Sequence, residues 1–340
     1  MYTPYRHRDL RLVRLSGYEG HPDKSMFRSS PDVDITHEEI DLRTYAAWGK
    51  GLSVQQYLDR EGYLRKRDLC RNMVMHALVR DEPGQAKPTI LASCESYRVP
   101  MVAFRESSFC HGIGSVYVDP EHRGRGYASD LLIRIRPFLG QFGCPLVYLM
   151  SDIGESVYGR LGFVPIPVRT LFLRASDQKP VGAQWIRRDE LWQVLTHNEW
   201  YERWRLPDFK LFPVFELVDW HLARSQYYSD LFNRPMPDYA GAICEDSLMV
   251  WAPDYRPPHQ KMWVLLLSAE QPGGAVETLV DAVCNATYAA GLTHCLMWVS
   301  DEIADLMPTG AIIPSEVLPM VRVKHSLSLH GLSFQRMNWL

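Results

Sequence analysis

The sequence predicts a mixed α/β protein (α+β in its segregation) with a central, mostly antiparallel sheet, followed by a second, smaller α/β domain. Three observations predict it. Strand-like runs at residues 9–16, 73–81, 88–98 and 111–118 are separated by turns or helical stretches, as in an antiparallel sheet. The stretch SVYVDPEHRGRGYASDLL, residues 115–132, passes from strand to glycine-rich turn to helix. Further on, KMWVLLL (261–267), AVETLVDAVCNATYAAGL (275–292) and HCLMWVS (294–300) read as strand, helix and strand again. A chain of 340 residues is long for one core, so two domains are expected, 1–178 and 179–340.

Taken in order, DLRLVRLS alternates and forms a first strand. Residues 17–51 carry glycine, proline and acids with little periodicity, which predicts a long loop with room for one helix. Ser53 and Gln56 make a capping box ahead of the amphipathic stretch QQYLDREGYLRKRDL. MVMHALVRD and PTILASCESYR are two strands around a turn at Glu82-Pro83-Gly84, and HGIGSVYV completes the meander. Asp119-Pro120 stops that strand, because proline lacks the ladder donor. Ala128, Leu131, Leu132, Ile135, Leu139 and Phe142 then recur at helical spacing, with Pro137 predicting a kink or an early end. PLVYLMS (145–151) is a buried strand, GESVYGRLGF (154–163) a short helix stopped by Gly162, and FVPIPVRTLFLR a closing strand pair. Residues 175–190 are polar and patternless, which places the domain boundary there. Beyond it lie a tryptophan-rich, partly helical region (Trp185, Trp192, Trp200, Trp204, Trp220) and a proline-rich stretch, 233–260, with few regular signals.

Composition narrows the function classes. The formal net charge is −3 with both signs spread along the chain, so no nucleic-acid partner is expected. No apolar run approaches the ~18 residues of a membrane helix, and the polar start MYTPYRHRDLRL has no apolar core of a secretory signal. The seven cysteines are scattered and lack C-x-x-C spacing, which predicts reduced, buried thiols in a cytoplasmic protein and no metal site.

The chemistry concentrates at residues 115–132. A helix N-terminus presents unpaired N–H groups to an anion, glycines let the backbone approach it, and arginines add charged donors. Three phosphate-binding patterns compete for Arg123-Gly124-Arg125-Gly126-Tyr127-Ala128. The dinucleotide pattern G-x-G-x-x-G fails where Ser129 stands, and a Walker loop fails because no Gly-Lys-Ser/Thr follows. The third is Arg/Gln-x-x-Gly-x-Gly/Ala after a strand ending V-x-P, and Val118, Pro120, Arg123, Gly126 and Ala128 fall where it asks. This stretch resembles the pyrophosphate loop of the GNAT acetyltransferases. Tyr158, Leu161, Gly162 and Phe163 also match that superfamily's Tyr-x-x-Leu-Gly-Phe helix. MSDIGESVYGRLGF, ILASCE and the Trp220-His221 pair followed by Arg224 further resemble the fungal lysine N-acetyltransferases, with their extra C-terminal domain. Met150, Ser225 and Phe163 depart from that narrower pattern, which expects tyrosine, glutamate and tryptophan.

The resemblance implies a GNAT fold with a second GNAT-like domain and acetyl-CoA as the acyl donor. Arg123, Gly124, Arg125, Gly126, Tyr127 and Ala128 would cradle its pyrophosphate, and Val116, Tyr117 and Val118 would pair with its pantetheine arm. A backbone N–H near Val118 would polarise the thioester carbonyl. A lysine ammonium has a pKa near ~10.4 and must lose a proton to attack. Glu95, a charged residue among apolar neighbours, is the candidate base, with Asp152 the runner-up. Tyr158 is the candidate acid for the departing thiolate. Glu95, Asp152 and His221 are the candidate acceptor-binding residues. Arg134 and Arg136 are expected on a solvated helix face, within possible reach of the adenosine 3′-phosphate, and Cys94 has no activating partner. The expected reaction is acetyl transfer to a small primary amine, lysine or a lysine-like amino acid first. The rivals are a protein acetyltransferase, at lysines or N-termini, and an inactive acyl-CoA sensor.

Overall fold

The computed structural model describes residues 9–16, 35–103, 106–140, 144–196, 209–211, 215–258, 260–269, 273–299, 304, 310–315, 317–323 and 336–338. Strands β1 (Leu10–Ser16), β2 (Met73–Arg80), β3 (Thr89–Ala103) and β4 (Glu106–Val118) pair antiparallel in that order. Helix α1 (His37–Trp48) and helix α2 (Val54–Arg65) come between β1 and β2. Both begin on complete capping boxes, Thr36 with Glu39 and Ser53 with Gln56. Helix α3 (Tyr127–Leu139) then crosses over, so that β5 (Leu146–Ser151) lies parallel to β4. The early end expected at Pro137 comes two residues later, because proline in the last turn removes one bond while Gly140 N–H still reaches Arg136 O at 2.9 Å. Helix α4 (Ser156–Gly159) and the two-residue strand β6 (Val164–Pro165) follow.

The expected closing strand pair at 163–174 is divided between two sheets. β6 stays with the first sheet, while β7 (Arg169–Arg174) leaves for the second. The patternless stretch 175–190 contains a strand, β8 (Gln184–Arg187), which precedes α5 (Leu191–Thr196). β9 (Phe209–Leu211) pairs with β3 in the first sheet, and α6 (Phe215–Leu231) comes after it. The proline-rich region forms a hairpin, β10 (Tyr239–Cys244) and β11 (Ser247–Asp254), whose two-residue turn puts Glu245 at φ 52°. β12 (Lys261–Ser268), α7 (Gly274–Ala289) and β13 (His294–Val299) form the expected strand–helix–strand unit, with β12 parallel to β13. β14 (Ala311–Ile313) joins the second sheet, and β15 (Leu318–Val323) returns to the first, between β5 and β6. The orders are β1-β2-β3-β4-β5-β15-β6 and β14-β7-β13-β12-β11-β10-β8. Each sheet is mixed and mostly antiparallel, as expected. Three strands cross the division expected after residue 178: β7 joins the second sheet, and β9 and β15 join the first.

Burial explains how the layers stack. α3 turns Leu131, Leu132, Ile135 and Leu139 onto the first sheet, and α7 turns Val276, Leu279 and Val283 onto the second. A third cluster joins Tyr97, Tyr148 and Val321 of the first sheet to Val250, Trp263 and Leu296 of the second, with Leu217 and Trp220 of α6 among them. All seven cysteines are buried and free. No helix among the described residues is long and apolar enough to cross a membrane. Trp200, Trp204, Gln271 and Pro272 lie outside the described residues.

Candidate functional site

The donor-side features sit where β4 loses β5. Pairing between these parallel strands ends at Ile113↔Leu149, although both strands continue. Just beyond, between the pairs Glu95↔Gly114 and Ser93↔Tyr117, β4 gains one residue over β3. Ser115, in that bulge, adopts φ 53°, a left-handed conformation seldom taken by residues other than glycine. The segment Gly114–Val118 therefore keeps β3 on one edge and has no β5 pairing on the other. Tyr117 is buried against Trp48, while Val116 and Val118 are half-buried.

The loop that follows meets the requirements of an anion cradle. Gly124 and Gly126 stand at φ 75° and 88°, and a Cβ on Gly124 would meet nothing within 4 Å, so the space over the loop is clear. Gly126 caps α3 without any side-chain cap bond. Backbone bonds frame the loop from Arg123 N–H to Pro120 O, 3.3 Å, to Asp130 N–H to Gly126 O, 3.0 Å. Arg125 is exposed. Arg123 donates from Nε to Val118 O at 3.1 Å, so it also ties the loop to the end of β4. Tyr127 is buried in the α3 core and Ala128 half-buried beside it. Arg134 and Arg136 correct the expectation of a solvated face: they donate to Leu10 O and Leu161 O, each at 2.8 Å, because both backbone carbonyls end beside α3.

A cavity of about 430 Å³ opens from the end of β4 into the space between the two sheets. Glu95, Asp152 and Tyr158 all line it, together with Ser115, Met150 and Trp220. Glu95 Oε2 accepts from Tyr97 Oη at 2.8 Å and from Ser115 Oγ at 2.9 Å. Burial pushes the Glu95 carboxyl up, with Arg65 and the two hydroxyls pulling it back and Glu61 adding to the rise. Tyr158, buried on α4 and edge-on to Phe163, is raised by burial and by the charge of Asp152, so its phenol stays protonated. Asp152 is exposed at the rim. Cys94 is raised by burial and by Glu95, which removes it as a nucleophile. His221 is not brought to this cavity. It is buried edge-on to Trp220 and lines a neighbouring water-sized cavity of about 20 Å³. The helical face of α6 that carries Trp220 and Arg224 into the larger cavity turns His221 away.

Much of the remaining lining was not legible as a site. From α1 and α2 come two ion pairs, Asp41 with Arg65 at 2.5 Å and Glu61 with Arg60. Burial pushes Asp41 up to about 7 in spite of Arg65. Arg60 also reaches Tyr228 Oη on α6 at 2.6 Å. The second half contributes Arg224, Lys261 and the Asp254–Arg256 pair, bonded Nε to Oδ1 at 2.8 Å. Burial raises Asp254, but the Arg256 charge and hydrogen bonds outweigh it and hold the carboxylate well below its usual range. Burial and the neighbouring Arg256 charge lower Arg224 to about 10, which still leaves it a cation at neutral pH. Ser225, where the narrower pattern expects glutamate, bonds instead to His221 O at 3.0 Å and Pro253 O at 2.5 Å, pinning α6 to β11. No group of three or more His, Cys, Asp or Glu suited to a metal occurs among the described residues.

Comparison with known proteins bears on this arrangement in two ways. Residues 89–165 match the family described as "Acetyltransferase (GNAT) domain", and residues 173–319 the "LYC1 GNAT-like C-terminal domain". Among solved structures, the chain is similar to a probable N-acyltransferase of Enterococcus faecalis V583, at 14% identity and a TM-score of 0.57, covering 92% of this chain and 72% of that one. It is also similar to a GCN5-related N-acetyltransferase of Anabaena variabilis, at 14% identity and a TM-score of 0.55, covering 86% of this chain and 72% of that one. At such identities the likeness is one of fold. A comparison with curated proteins gives no match.

Proposed function

The chain belongs to the GNAT superfamily of acyltransferases and carries a second GNAT-like domain, and from that premise we propose that it acetylates a small primary amine, lysine or a lysine-like amino acid first. One observation carries the reading: Glu95 and Tyr158 line one cavity that begins where β4 parts from β5 and is lined on its far side by the second half. Acetyl-CoA, the donor the superfamily uses, supplies the activated acyl group. The glycine loop and the β4 edge suit its pyrophosphate and pantetheine.

The residues then divide the proton work. Glu95 takes the proton of the acceptor ammonium, directly or through water, and its raised carboxyl is better matched to that task near neutral pH. The amine nitrogen bonds to the acetyl carbon as the carbon–sulfur bond breaks, and a backbone N–H near Val118 steadies the carbonyl oxygen. Tyr158 gives its proton to the leaving sulfur, and the second proton shed by the new amide nitrogen restores the phenol. The burial that raises this phenol also raises the basicity of a thiolate beside it, so the two remain matched.

The acceptor class follows from shape and charge. A volume near 430 Å³ suits a small molecule, and Trp220, Pro257 and Pro258 of the second half are part of its wall. On the first half's side Glu95 stands beside the Asp41–Arg65 and Glu61–Arg60 pairs, and on the second half's side Arg224 and Lys261 stand beside the Asp254–Arg256 pair. An acceptor with an ammonium at one end and a carboxylate at the other complements both.

The test is CoA release across lysine, ornithine, cadaverine and a lysine-containing peptide. Lysine or ornithine should be turned over best, and cadaverine, which lacks the carboxylate, poorly. Replacing Arg224 by methionine should raise KM for lysine about 10- to 100-fold, as expected for a lost charged hydrogen bond, and leave cadaverine unchanged. Faster turnover of the peptide would reverse the acceptor assignment, and no turnover of any amine would favour the sensor reading.

A further inference from the structure

We propose that Ser115 and Tyr97 are positioning residues for Glu95, and that Ser115 links the donor strand to the acceptor-side base. The proposal rests on reading Glu95 as the base. Its ground is geometric. Both hydroxyls donate to the same carboxylate oxygen, Oε2, at 2.8 and 2.9 Å. A carboxylate oxygen accepts through two lone pairs, so two donors fill Oε2 and leave Oε1 to receive the proton. The donors come from different places: Tyr97 from β3 itself, two residues along on the same face, and Ser115 from the bulge on β4.

The bulge gives the second bond its meaning. An unbroken β4 would carry no residue at φ 53° beside Glu95, and strain of this kind persists only where the surroundings over-determine it. The bulge begins two residues past the last β4–β5 pair, in the segment offered to the donor's extended arm. A ligand that pairs with Gly114–Val118 therefore fixes the backbone from which Ser115 holds the base.

Several titratable groups surround Glu95. Asp41 comes from α1, Glu61 and Arg65 from α2, Cys70 from the turn before β2, and Cys94 and Tyr97 from its own strand. The opposite lining adds Asp152, Tyr158 and Arg224. Arg65 and the two hydroxyls are the groups that favour the carboxylate against its burial. Removing a hydroxyl should raise the pKa at which the base becomes competent.

The experiment is the pH profile of kcat/KM for the best amine in the full chain, for Ser115→Gly, Tyr97→Phe, the double variant and Glu95→Gln. Glycine accepts the positive φ without strain, so Ser115→Gly removes the hydroxyl while suiting the fold. The acid limb should move up by about one pH unit for each hydroxyl lost, a tenfold fall in kcat/KM on the acid side. The high-pH plateau should stay within a few-fold, and acetyl-CoA affinity in Tyr97→Phe should not change. If Glu95→Gln is inactive but neither single variant moves the limb, the positioning role is overturned and the base stands, even if the variants melt at lower temperature. If Glu95→Gln keeps near-normal activity, the base reading itself fails, and the proposal with it.

Discussion

The two halves hold the same frame and use it differently. In the first, β4 gains a bulge residue against β3, runs parallel to β5 for three pairs, and feeds α3. In the second, β12 gains a residue against β11 at Leu265, pairs with parallel β13 at only Met262↔Cys295 and Trp263↔Leu296, and feeds α7. Short parallel pairing, bulge and helix recur in that order along the chain. What fills them differs. The first bulge carries Ser115, and the first β3 residue beyond the register shift is Glu95. The second carries buried Leu265, and the corresponding β11 residue is the fully buried Trp251. Before α3 stand two arginines and two glycines with positive φ, whereas Gly273, before α7, is extended at φ −173°. The same frame therefore carries a polar bulge beside a carboxylate in one half and a buried apolar bulge beside a tryptophan in the other.

The largest effect that would test this contrast is on chemistry. Tyr158→Phe keeps the ring against Phe163 and removes the proton, so kcat should fall by about 10²–10⁴-fold with KM for acetyl-CoA nearly unchanged. Near-normal kcat would return Tyr158 to a packing role and leave the first half distinguished by its loop alone. Next comes the same lesion placed in both halves. Gly126→Val forces a β-branched residue to φ 88° and should weaken acetyl-CoA binding by about 5- to 30-fold, from a strain of about 1–2 kcal/mol. Gly274→Val, at a helix start where an added Cβ meets nothing within 4 Å, should leave affinity unchanged. Calorimetry on both variants, read with the stoichiometry of one acetyl-CoA per chain, decides the point; two equivalents would erase the difference between the halves.

A smaller effect concerns stability against pH. The first sheet buries His76 and His111 near Phe138, and burial lowers them to about 3 and 4, helped by Arg14 and Arg98 respectively. In the unfolded chain both titrate near ~6.5. Between these values the unfolded state binds protons that the folded state refuses, so stability is full above pH ~6.5 and falls as pH drops, by up to about 1.4 kcal/mol per pH unit for each histidine. Urea unfolding at pH 7 and pH 5 should show the loss, and His76→Gln should remove part of it. An unchanged slope in that variant would move the acid sensitivity elsewhere.

The contrast also explains what was legible in the sequence. α2, α3, β5, β12, α7 and β13 carried strong local signals: a capping box, an apolar stripe, or a continuous apolar run between breakers. The glycine loop and Tyr158 were legible because a short motif states both the turn and its chemistry. The β10–β11 hairpin was not, since its turn uses Glu245-Asp246 rather than a glycine pair and prolines surround it. β14 and β15 have partners far away in sequence, so nothing local announces them. Nothing local marks Arg60 and Arg65 as lining a cavity. Only the packing of α2 against α6, and the pairing of Arg65 with α1, brings them to the cavity. His221 was placed in the site by its neighbour Trp220, but adjacent helical residues point about 100° apart.

Synthesis imposes an order on the exchanged strands. β5 is complete at residue 151, yet its antiparallel partner β15 begins at residue 318. At ~5–20 residues per second, about ten to thirty seconds of translation separate them. Through that interval the nascent first sheet carries an unfinished edge of mostly buried, apolar residues, Leu146 to Ser151, a template for pairing with another chain. Closing so long a loop costs little more than closing a short one, because the entropy grows only with the logarithm of length. The hazard is therefore kinetic, and it lasts until the ribosome has delivered β15.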